Sequence, residues 1–211
     1  MPRPSQNVDQ RLLDAGLELL PETGCAGLSV RRLTEHAGVN LGMFHYHFKN
    51  KDTFVRAVLQ RMYETMFADL TLQVDAQRPV LHNLRQVVTV LARFGRDRHG
   101  LLLRMAADAL AGEAAVREFF RDNLPRHIAV VAQLVVQAQA EGLLAKAPPP
   151  EMVAFLAGAV GAPVLIGGVV LQHAPAEAAA QIDRHVMSDA AIARRLDFAL
   201  RGLSAPQGDT R

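Results

Sequence analysis

Apolar side chains recur at three- and four-residue spacing along most of this chain, and no run of alternating β-branched residues interrupts them. That period places them on one face of successive helices and predicts an all-α protein. The first stripe, Val8, Leu12, Ala15, Gly16 and Leu19, predicts an amphipathic helix over 8–20, ended or distorted by Pro21 and closed by Gly24. Ser29 then stands before Val30 and Leu33 as an N-cap, and Gly38 follows a helix ending near Ala37, where a left-handed C-cap suits glycine. Asn40 offers a second N-cap for a helix of only two turns, Leu41 to Phe48. In this stretch Leu33, Ala37, Val39, Phe44 and Phe48 form the inward set, leaving Asn40, Leu41, Met43, His45, Tyr46 and His47 outward.

The stripe resumes over 52–74 with Phe54, Val55, Val58, Leu59, Met62, Met66, Phe67 and Leu70. Pro79 opens a further series of helices over 80–96, 100–110 and 114–141, in which Gly112 separates the second from the third and Pro125 kinks or splits the last. Inward candidates there include Leu84, Val87, Leu91, Phe94, Leu102, Met105, Phe119, Phe120, Leu124, Ile128, Val131 and Leu134. After the break at Pro148, Pro149 and Pro150, residues 152–173 carry no charge, and an amphipathic helix follows over 189–203.

Two short helices joined by a glycine-containing turn make a helix-turn-helix, whose second helix can enter a DNA major groove. Composition changes that picture little. The formal net charge is only +2, so charge for a polyanion has to be local. Between Gly24 and Arg56 it is: Arg31, Arg32, Lys49, Lys51 and Arg56 stand against Glu35 and Asp52. The single cysteine, Cys25, excludes an intrachain disulfide and suits a reducing cytoplasm, and the N-terminal ten residues lack the apolar centre of a signal peptide. A cytoplasmic protein is expected.

The run LSVRRLTEHAGVNLGMFHYHFKNKDTF, preceded by a helix ending in ETG, resembles the DNA-binding domain of TetR-family transcriptional regulators over roughly the first 55 residues. The resemblance implies a three-helix DNA-binding domain over 1–52 and a helical effector-binding and dimerisation domain over 53–211. It makes Ala37, Gly38 and Val39 the turn and 40–47 the recognition helix. It gives Ser29 and Lys51 phosphate contacts, which suits a helix N-terminus and a full positive charge. Arg31 and Arg32 are phosphate contacts or solvated surface, and Asn40 reads a base or caps its own helix. The family's usual tyrosine is His45 here, with Tyr46 next to it, so either can take the aromatic's phosphate contact. Leu41 and Met43 can offer only apolar contact, for example to a thymine methyl. His45 and His47 lie two apart, on different sides of a helix, and so do not form a metal pair.

The same resemblance places an effector pocket in the middle of the chain, with Met105, Phe119 and Phe120 as apolar wall and Arg104, His127 and Gln133 as polar candidates. It also implies a homodimer through the helices near 152–173 and 189–203, four helices in all. The uncharged segment 152–173 satisfies the rule for a membrane span, but Pro163, Gly167 and Gly168 weaken a regular helix and no basic cluster flanks it, so no membrane partner is expected.

No nucleophile elbow, phosphate-cradling glycine loop or zinc His-Glu-x-x-His motif is present, and no cofactor is indicated. The reading is therefore a non-enzymatic regulator, in most forms a repressor, that binds double-stranded operator DNA and responds to a small effector. The alternatives are a ligand-independent DNA-binding regulator and a membrane-associated helical interaction module.

Overall fold

The computed structural model describes residues 4–205, with side chains from residue 8 onward. Among these residues the chain forms eleven α-helices. They fall into two compact units, Met1–Thr65 with Gly100–Asn123, and Met66–His99 with Leu124–Arg211.

The first unit opens with α1 (Pro4–Gly27), α2 (Val30–Ala37), α3 (Leu41–Phe48) and the beginning of α4 (Lys51–Leu72). Helix α1 runs through Pro21, where a stop or distortion was expected, and leaves helical geometry only at Gly24, with φ 67° and ψ 177°. A proline deletes a single hydrogen bond near the end of a helix, whereas positive φ breaks the helix outright. Leu12, Leu19 and Leu20 of α1, Leu33 of α2, Phe44 of α3 and Phe54, Val58 and Leu59 of α4 are fully or almost fully buried. Gly16 is required where α1 crosses α4, because a Cβ there would lie 2.7 Å from the Phe54 ring and 2.9 Å from Val58. The unit is completed by α6 (His99–Leu110) and the start of α7 (Ala114–Ala140). Tyr63 of α4 stacks edge-on against Phe119 of α7 at 6.0 Å and donates its hydroxyl to the Asn123 carbonyl at 2.8 Å. Helix α7 is one helix with Pro125 inside it. Of its expected inward set, Phe119, Val131 and Leu134 are buried, but Leu124 and Ile128 are exposed.

In the second unit α5 (Val80–Asp97) packs on α9 (Ala162–His173) and α11 (Asp189–Leu203). The uncharged segment begins as α8 (Pro149–Leu156) and passes through one π-helical turn, Ala157–Gly161, into α9. Pro163 explains that turn. With no N–H and a ring that crowds the preceding carbonyls, it is accommodated where Ala162 N–H reaches five residues back to the Ala157 carbonyl. The two glycines of α9 are contact points. A Cβ on Gly167 would lie 2.8 Å from Met187 Sδ, and one on Gly168 would overlap the His99 imidazole. A short helix that the periodicity did not announce, α10 (Ala176–Ile182), leads through a second π-helical turn, Asp183–Met187, to Ser188, which N-caps α11.

Helix α11 is fixed to α5 by an ion-pair ladder as well as by Ile192, Leu196 and Leu200. Arg85 pairs with Asp197, while Arg93 and Arg96 reach the two oxygens of Asp189 at 2.8 and 2.6 Å. Hydrogen bonds from Arg96 and then Arg93 hold the Asp189 carboxyl below its ordinary value of 3.8. A carboxyl lowered by folding adds stability above its unfolded pKa, and that stability is lost as the pH falls through the folded value. The margin in melting temperature between the native chain and Asp189→Asn is therefore expected to shrink from pH 5 down to about pH 2. Because the side chain is 56% exposed, the margin is small at every pH. Melting curves recorded by circular dichroism across that range test this, and a margin that widens in acid contradicts it.

Candidate nucleic-acid interface

The helix-turn-helix is built from local capping and one distant clamp. The Ser29 hydroxyl accepts from Arg32 N–H at 3.4 Å at the start of α2. At its end Gly38 adopts φ 63° and ψ 39°, and the Val39 N–H returns to the Thr34 carbonyl at 2.9 Å. This is the left-handed stop expected of glycine. Arg11, from α1, donates to the carbonyls of Ala37 and Gly38 at 2.5 and 2.9 Å, placing a full positive charge on the negative end of α2. Nothing in the local pattern marked Arg11 for this role.

Helix α3 starts at Asn40, whose side-chain oxygen accepts from Met43 N–H at 2.9 Å. Of the two roles open to Asn40, the structure shows capping, which occupies its acceptor oxygen but not its amide N–H donors. The inner face of α3 is aromatic: Phe44 lies 5.5 Å and Phe48 5.0 Å from the ring of Phe54, centroid to centroid. Opposite, Leu41, His45 and Tyr46 are exposed, Tyr46 by 75%, while Met43 and His47 are half-buried. His45 Nδ1 lies 3.2 Å from the Lys49 carbonyl, and His47 Nε2 is turned inward and buried. The outward polar groups of the central turn are thus those of His45 and Tyr46.

Several basic side chains around α3 are engaged within the chain. Arg31 pairs with Glu35 at 2.9 Å, Arg32 with Glu22 at 2.7 Å, and His36 lies 2.7 Å from Glu18. These carboxylates sit on the surface and are screened by salt, so a phosphate can replace them. Lys51 donates to the Ala26 carbonyl at 2.7 Å and keeps two N–H groups for another acceptor. Asn50 caps α4 by accepting from Thr53 N–H at 2.8 Å, a role its position before Lys51, Asp52 and Thr53 could have signalled.

The residues expected to meet an effector are more dispersed. Met105 and Phe119 are buried, Phe120 and His127 half-buried, and Arg104 and Gln133 exposed. Phe119 borders a groove in the first unit, of about 260 Å³, which Arg56, Ala57, Gln60, Asp122 and Asn123 also line. Asn123 is buried there and exchanges hydrogen bonds with Gln60.

A capped two-turn helix displayed beyond a glycine turn on a three-helix core defines a helix-turn-helix DNA-binding protein. The comparisons agree. The family model described as bacterial regulatory proteins, tetR family, matches residues 12–58. The transcriptional regulator AcuR of Cereibacter sphaeroides is 34% identical over 152 residues, 69% of this chain and 68% of its own. The class A tetracycline repressor from transposon 1721 of Escherichia coli is 40% identical over 58 residues, 28% of this chain and 25% of that one. Among solved structures, a Saccharomonospora viridis transcriptional regulator in complex with choline superposes with a TM-score of 0.74 at 14% identity, covering 96% of this chain and all of that one. A Rhodococcus TetR-family regulator gives 0.67 at 19%, covering 95% and 100%. The chain belongs to the TetR family of DNA-binding transcriptional regulators.

Proposed function

We propose that this protein is a homodimeric repressor that binds a near-palindromic operator and is released by a small, mostly apolar effector. The observation that carries the reading is α3 itself. Its Phe44 and Phe48 are locked inward, so Leu41, His45 and Tyr46 are presented on a fixed surface, with Met43 at its edge. Residues 1–52 then do the binding, and 53–211 the sensing and pairing. Two copies of α3 enter successive major grooves about 34 Å apart. Ser29, Arg31, Arg32, Lys51 and the aromatic pair His45 and Tyr46 set position on phosphates, while Leu41, Met43 and the donor end of the Asn40 amide supply the base-facing contacts; His47, its Nε2 buried, is not among them.

Homodimerisation is supported by an apolar face that one chain does not cover. Pro149–His173 is long and apolar enough to cross a membrane, with mean hydropathy 2.2, yet only 28% of its most apolar window is buried. Phe155, Ile166, Val169 and Val170 are exposed on it and Phe198 on α11. A second copy covers such a face as well as lipid does. A chain that stays dispersed without detergent at twice its own mass favours the dimer, and one that needs detergent favours the membrane-associated reading.

The groove beside Phe119 is where effector binding is sought first. A thermal-shift screen in which no small molecule raises the melting temperature would favour a ligand-independent regulator.

Selection from random oligonucleotides tests DNA reading. Recovered duplexes are expected to carry two inverted half-sites one helical turn apart. Tyr46→Phe should weaken binding to every recovered duplex alike, by roughly five-fold for one lost hydrogen bond, whereas Met43→Ala should shift the preferred sequence. A preference unmoved by Met43→Ala takes that residue off the base-facing surface.

A further inference from the structure

The corner between α1 and α2 is held by two charged groups from the same compact unit. Gly24 kinks the last turn of α1, and the next N–H, on Cys25, donates to Asp108 Oδ2 of α6 at 2.6 Å. One residue on, the Ala26 carbonyl accepts from Lys51 Nζ at 2.7 Å. An anion therefore takes a donor and a cation takes an acceptor from neighbouring residues, the stronger kind of hydrogen bond in each case. The fit is close, since a Cβ at Gly24 would lie 3.1 and 3.2 Å from the two Asp108 oxygens, at a φ that already strains any L-residue. The Cys25 thiol beside this contact is buried, and burial first, then the Asp108 charge, push it up to about 12. Leu28, also buried, and the N-cap Ser29 follow directly, so little slack separates the corner from α2.

We propose that Asp108 is a positioning residue for DNA binding: its carboxylate, by holding the Cys25 N–H, sets the angle at which the chain enters α2 and hence the pose of α3. It follows that duplex binding and closure of this contact favour one another, since each is stronger in the presence of the other. The proposal rests on the DNA-binding reading above and adds to it a residue remote from the DNA surface.

The only cysteine of the chain is its own reporter. A buried thiol reacts only when the structure opens around it. Alkylation of the wild-type protein by iodoacetamide, followed by intact mass, is expected to slow roughly threefold or more when a duplex recovered by selection is added. An unchanged rate overturns the proposal. Asp108→Ala should bind that duplex on the order of tenfold more weakly, while Asp108→Asn, which keeps an acceptor oxygen, should stay within about threefold of wild type. An asparagine variant as weak as the alanine variant, or an alanine variant as tight as wild type, also overturns it.

The slowing of alkylation should shrink in Asp108→Ala. Slowing that persists in full would mean that DNA merely shields the thiol, against the proposal. If the alanine variant does not fold, the wild-type rates and the asparagine variant still decide. A wild-type chain that selects no duplex removes the DNA-binding reading and this proposal together, whereas selection followed by any of the contrary results removes this proposal alone.

Discussion

Phe44→Ala is expected to destabilise the first unit by about 3–5 kcal/mol and to abolish operator binding with it. The ring is fully buried on the inner face of α3, with Phe48, Phe54 and His45 centroids at 5.9, 5.5 and 5.4 Å. Truncation loses the transfer free energy of the ring and leaves a cavity between α3 and α4 that Phe48 and Phe54, already packed edge to face, cannot both close. A domain has only about 5–15 kcal/mol in total, so the loss is a large share of it. Helix α3 has two turns and few hydrogen bonds of its own, so without this ring little keeps it folded. Urea unfolding followed by circular dichroism is the measurement, since the chain has no tryptophan to report by fluorescence. A loss below about 1 kcal/mol would show that the aromatic cluster is not what holds α3.

The second large effect concerns pairing. The double variant Ile166→Glu, Phe198→Glu is expected to run at the 23.0 kDa of one chain, and the native protein, as the proposed homodimer, at twice that mass. Both side chains are exposed in the single chain, by 62% and 66%, so their replacement should leave helix content and monomer packing unchanged. In the dimer each glutamate would be a buried, unpaired charge, which the interface cannot tolerate. Operator affinity should then fall by on the order of a hundredfold, because the second half-site is no longer presented at high effective concentration. Light scattering and operator titration read the two consequences separately. A variant that remains a dimer at micromolar concentration would place the interface elsewhere.

Much of the DNA-binding unit is written locally. Ser29, Gly38 and Asn40 each act within four residues of themselves, and the structure finds each in the role that its type and position announce. Phe44 and Phe48 were assigned inward by helical period alone, and both are buried. The amphipathic helix expected over 189–203 has those bounds as α11, and the structure adds its N-cap, Ser188. Periodicity misjudged cases where a neighbour far along the chain decides. Leu124 and Ile128 lie on an apolar face of α7 yet are exposed, and α10 lacks a stripe strong enough to be seen.

By itself, then, the sequence determined the all-helical class, the helix-turn-helix and its caps, because these depend on backbone sterics, local hydrogen bonds and a period of 3.6 residues. Tertiary structure alone decided that Arg11 holds the turn between α2 and α3, that Asp108 and Lys51 grip the corner at Cys25 and Ala26, and that Gly168 makes room for His99. Those pairs are separated by 25 to 83 positions. A charge or a missing Cβ carries no mark of the partner it will meet, and only the packed chain brings the two together.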